Sequence, residues 1–64
     1  MKNSELQKTL RRLLKDPTIT FDGYDMNGYP LFITGKDKYL EYFVKGKDVY
    51  STDGFVEKKV LNIN

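Results

Sequence analysis

The sequence predicts a small α+β domain, an N-terminal amphipathic helix packed on one face of an antiparallel β-meander of about four or five strands. Three observations point to it. Leucines recur at helical spacing near the N-terminus, β-branched and aromatic residues dominate from Thr18 onward, and glycine-containing turn signals punctuate that second stretch every few residues.

The helix is expected over residues 4–15. Leu6, Leu10, Leu13 and Leu14 lie at i, i+4, i+7 and i+8, the apolar stripe of an amphipathic helix. Ser4 is placed to cap it, with Gln7 three residues on as the partner of a capping box and Glu5 near the positive end of the helix dipole. Lys15 suits the opposite end. Pro17 disfavours helical geometry at Asp16 and stops the helix there.

The meander is expected over residues 18–63, with residues 18–26 as its first strand. Asn27-Gly28 and Asp53-Gly54 are hairpin signals, because a type I′ turn needs positive φ at both central positions and these residues tolerate it. A short repeat of period eleven lies between them: Phe32-Ile33-Thr34-Gly35-Lys36-Asp37-Lys38-Tyr39 recurs as Phe43-Val44-Lys45-Gly46-Lys47-Asp48-Val49-Tyr50. Eleven residues are too few for a solenoid unit, so the repeat reads as one hairpin used twice. With Gly35-Lys36 and Gly46-Lys47 as two-residue type II′ loops, Phe32 faces Tyr39, Thr34 faces Asp37, Phe43 faces Tyr50 and Lys45 faces Asp48.

Alternation then divides the sheet into two faces. Leu31, Ile33, Leu40, Val44 and Val49, with Tyr42, form the aliphatic seat for the helix. Phe32, Tyr39, Phe43 and Tyr50 form an aromatic face, mixed with Thr34, Asp37, Glu41, Lys45 and Asp48. A bulge near Asp22-Gly23 would return Ile19 and Phe21 to the core. Residues 55–63 fit helical and strand periodicity, and strand is preferred because an Asp53-Gly54 loop sets Lys59 opposite Asp48.

Composition narrows the function classes. A chain of 64 residues holds one domain with one thin core, here residues 1–64. With neither Cys nor His, disulfides and soft-metal sites are closed, and self-association is left as a route to extra stability. Eleven basic against nine acidic residues leave a net +2, too little to argue for nucleic acid by itself. No stretch approaches the roughly 20 apolar residues of a membrane helix, and no apolar segment follows Met1-Lys2-Asn3-Ser4-Glu5, so no membrane association and a cytoplasmic location are expected. The richness in Lys, Asn, Ile and Tyr suits a low-GC genome and a short accessory or phage-type reading frame.

The missing His and Cys remove the usual general base and the best nucleophile, so no enzyme and no cofactor are expected. Asp25-Met26-Asn27-Gly28 resembles part of a calcium loop, but the twelfth position would be Thr34, and a hairpin turn explains these residues. Gly35-Lys36 and Gly46-Lys47 lack the longer glycine run and following helix of a phosphate loop. The leading expectation is a small non-enzymatic protein that binds and modulates a protein partner through Phe32, Tyr39, Phe43 and Tyr50, a second copy of the chain being one such partner. Coverage of that face within the domain is the bland reading. The alternative is nucleic-acid binding, by base stacking on the aromatic face or by the helix stripe Lys8, Arg11, Arg12 and Lys15, although Asp37, Glu41 and Asp48 oppose phosphate at the sheet.

Overall fold

The computed structural model describes residues 2–64. Helix α1 spans Asn3–Leu13 and is followed by strands β1 (Thr20–Tyr24), β2 (Pro30–Ile33), β3 (Glu41–Lys45), β4 (Asp48–Thr52) and β5 (Glu57–Asn62). Consecutive strands pair antiparallel in the order β1-β2-β3-β4-β5, so the predicted α+β meander is the fold, with five strands.

The helix is capped two residues earlier than its sequence suggests and ends at Leu13, short of the expected residue 15. Lys2 is the extended N-cap residue, its carbonyl accepting from the amides of Glu5 and Leu6 at 3.0 and 2.9 Å, and no side chain caps the end. Ser4 therefore lies inside the first turn and the Ser4–Gln7 capping box does not form. Gln7 acts elsewhere: its Oε1 accepts from the Phe21 amide at 2.8 Å, tying the helix to β1. At the C-terminus Lys15 adopts φ +53°, while its amide donates to the Arg12 carbonyl and the Asp16 amide to that of Arg11 at 3.3 and 3.0 Å. This is a Schellman ending with lysine where glycine is usual.

Leu6 and Leu10 pack on one face of the sheet against Ile19, Phe32, Val44 and Val49, with Leu14, Phe21, Tyr42, Leu61 and Ile63 around them. The expected bulge is present between Phe21 and Tyr24, where Gly23 takes φ +95°, and Ile19 is fully buried. The β3–β4 hairpin also has its predicted register, Phe43 opposite Tyr50 and Lys45 opposite Asp48. Gly46 opens that turn at φ +65° while Lys47 stays out of the left-handed region, as a type II′ loop requires.

The β2–β3 connection corrects the face assignment of β2. Gly35 does not take positive φ, so Gly35-Lys36 is no type II′ loop. Gly35 instead lets Thr18 approach, since a Cβ there would stand 3.0 Å from Thr18 Cβ. Residues 34–40 form a longer link, in which Asp37 accepts from the Tyr39 amide through Oδ1 and from the Leu40 amide through its carbonyl, at 3.0 and 3.2 Å. Phe32 consequently faces Tyr42, not Tyr39, and an odd displacement along a strand exchanges its two faces. Phe32 becomes a fully buried core residue under the helix, whereas Leu31 and Ile33 turn to the opposite face.

The last segment is a strand, as preferred. Its register differs from the expected one because the β4–β5 loop contains four residues, 53–56, placing Glu57 opposite Thr52 and Lys59 opposite Tyr50. The Lys59–Asp48 contact survives as a diagonal pair at 3.2 Å.

Candidate functional site

The face of the sheet away from the helix carries a row of stacked aromatic rings. Phe43, central on β3, lies 5.0 Å from Tyr50 with an interplanar angle of 7°, and 6.1 Å from Tyr29 at 18°. Cross-strand pairing explains the first contact, since Phe43 and Tyr50 are direct partners. Tyr29 reaches the row because it precedes β2 by one residue and shares the side of Leu31, which pairs with Phe43. Phe43, the middle ring of the row, is buried, and the two tyrosines are half-buried.

Above these rings is an open cleft of about 370 Å³, rimmed by Asp25, Asn27, Lys45 and Glu57. The β1–β2 turn sets one wall. Asp25 Oδ1 accepts from the amides of Asn27 and Tyr29 at 2.9 and 2.8 Å, and the Asp25 amide donates to the Tyr29 carbonyl at 2.9 Å. Gly28 alone supplies positive φ, +83°, so this is a three-residue loop on a type I turn and not the expected type I′ turn. Glu57 on the other wall is positioned by the β4–β5 loop, where Asp53 Oδ1 accepts from the amides of Phe55 and Val56 at 3.0 and 3.1 Å. Those two amides hold the Asp53 carboxyl below its ordinary pKa. Lys45 extends over the cleft with its ammonium 5.9 Å from the centre of the Tyr29 ring.

Of the four aromatic residues singled out in the sequence, the structure brings Phe43 and Tyr50 together. Phe32 is in the core and is not available as a surface anchor. Tyr39 stands in the 34–40 link, 71% exposed, with the Lys38 ammonium 5.1 Å from its ring centre and no part in the cleft. Tyr29, Asp25, Asn27 and Glu57 were missed. The available signal was Tyr29 two residues before Leu31, but it points to this face only once the β2–β3 register is known.

The helix stripe is divided in the same way. Lys8, Arg12 and Lys15 are exposed, whereas Arg11 is half-buried and donates from Nε to the Ile19 carbonyl at 2.7 Å. Lys36 joins this side, its Nζ 3.5 Å from the Lys15 carbonyl.

Two further carboxylates are engaged within the fold. Asp48 is lowered in pKa by the Asn62 amide at 2.8 Å and by Lys59. Buried Asp16 accepts from the Thr18 hydroxyl at 2.5 Å, from the Thr18 amide at 2.9 Å and from the Thr34 hydroxyl. These donors, with the two hydroxyls foremost, hold its pKa at about 2. The neighbouring Tyr42 hydroxyl is pushed up, first by burial and then by the Asp16 and Asp37 charges. Asp16 is thus a saturated structural anion, not a poised acid or base.

Among the described residues, no three acidic side chains converge as a metal site, and no helix is long and apolar enough to cross a membrane. Comparisons with known protein families, with curated proteins and with solved structures find no match to this chain.

Proposed function

We propose that this chain is a small non-enzymatic binding protein that engages and modulates a protein partner through the outer sheet face, with Tyr29 and Tyr50 as its anchors and the buried Phe43 stacked between them as their support. The observation that carries this reading is the stacked row of rings at the floor of a concave, uncovered cleft. Tyr29 and Tyr50 are half-buried, and tyrosine is among the residues enriched at protein interfaces. The rim supports a protein over a nucleic acid, since Asp25 and Glu57 outnumber Lys45 and would repel phosphate. Chemistry on a bound substrate is a poorer fit, because the cleft offers neither imidazole nor thiol.

A second reading rests on the exposed Lys8, Arg12 and Lys15, with Lys36 beside them: contact with nucleic-acid phosphates along the helix. Sedimentation of the purified protein with a random single-stranded oligonucleotide, at low and high salt, separates the two. The protein-binding reading expects sedimentation indifferent to the oligonucleotide at either salt. A complex at low salt that dissolves at high salt would transfer the function to the helix stripe.

A further inference from the structure

We propose that the aromatic cleft receives an arginine side chain from the protein partner, an inference that rests on the binding reading above and names what the partner brings. The cleft already contains a surrogate. Lys45 holds its ammonium over the Tyr29 ring at 5.9 Å, so one ring of the site accepts a cation supplied by the chain itself. The rim charges are unbalanced in the same sense, Asp25 and Glu57 against Lys45, and among the described residues none of the three forms an ion pair. An incoming guanidinium takes the place of Lys45 over the ring and meets the carboxylates, for which its planar fork of donors is better matched than an ammonium. A volume of about 370 Å³ accommodates such a group but is open on one side, as suits a side chain still attached to a partner's surface.

Amide NMR of the full chain, titrated with N-acetyl-arginine amide and with N-acetyl-citrulline amide, tests this. Citrulline keeps the shape of arginine without its charge. Arginine amide is expected to shift the resonances of Tyr29, Lys45, Tyr50 and Glu57 saturably and to bind about tenfold more tightly than citrulline amide. Lys45→Gln removes the competing cation and is expected to tighten arginine binding about threefold, and Glu57→Gln to weaken it by a similar factor. Both side chains are exposed, so both variants keep the fold. Equal binding of the two amides, weaker binding in Lys45→Gln, or no shift at the cleft overturns the assignment. Shifts at the same resonances from N-acetyl-leucine amide, with arginine silent, would overturn it while leaving the cleft as a protein-binding surface.

Discussion

The Thr34 hydroxyl donates to Oδ2 of Asp16, joining the residue after β2 to the residue that completes the helix ending. Thr34 Oγ1 also accepts from the Lys36 amide at 3.1 Å, and Thr18 Oγ1 accepts from the Gly35 amide at 2.9 Å. One carboxylate and two hydroxyls therefore fix where the β2–β3 link leaves the sheet. Thr34→Val keeps the shape and deletes the donor. With Thr34 only 6% exposed, the loss is expected to cost about 1–3 kcal/mol in urea unfolding, while Thr34→Ser retains most of the stability.

Asp16 also makes stability depend on acid. Its folded-state pKa is about 2 against an ordinary 3.8, so its contribution is fully present above 3.8 and is lost as pH falls toward 2. Asp48 and Asp53 are lowered as well and act in the same direction. The melting temperature should be flat from neutral pH to just above the ordinary value and then fall. In Asp16→Asn the plateau should be lower and the acid slope shallower; an unchanged slope would show that Asp16 contributes nothing to it.

Lys15 occupies a left-handed position, φ +53°, that disfavours any side chain. Lys15→Gly is expected to raise stability by about 0.5–1 kcal/mol, the relief of strain being partly offset by the entropy glycine adds to the unfolded chain. Chemical denaturation at neutral pH measures this. Lower stability would mean that Lys15 makes a contribution through its side chain that outweighs its backbone.

Phe32 and Tyr50, which strict strand alternation places together on one aromatic face, should behave differently. Phe32→Ala empties the centre of the core and is expected to cost about 3–5 kcal/mol, comparable to the whole stability of a domain this small. Tyr50→Ala, at a half-buried surface position, is expected to cost about 1–2 kcal/mol and leave a folded protein. Circular dichroism melts of the two variants distinguish core from face.

That pair also shows how far the sequence could be read. The leucine stripe, an antiparallel meander of four or five strands, the Asp22-Gly23 bulge and the Gly46 turn follow from periodicity and local turn chemistry, which act over a few residues. The face of β2 does not. It depends on Thr34 and Gly35 packing against Asp16 and Thr18, residues sixteen to eighteen positions away, and no local pattern encodes that contact. Phe43 and Tyr50 were legible as partners because their hairpin is local. Tyr29 was not, because its side is that of β2 and depends on the same distant contact, and Glu57 faces the cleft from opposite Thr52, where the four-residue β4–β5 loop sets it, and not from opposite Tyr50, where a two-residue loop would.

The proposed function requires that the cleft meet a protein. The most direct measurement places a photo-crosslinking p-benzoylphenylalanine at Asn27 on the cleft rim, and separately at Lys8 on the helix, in the full chain within the cells that make it. A discrete protein adduct is expected from Asn27, lost when Tyr29→Ser and Tyr50→Ser are combined in a still-folded chain, with none from Lys8. Adducts from Lys8 alone, or adducts removed by nuclease, would contradict it.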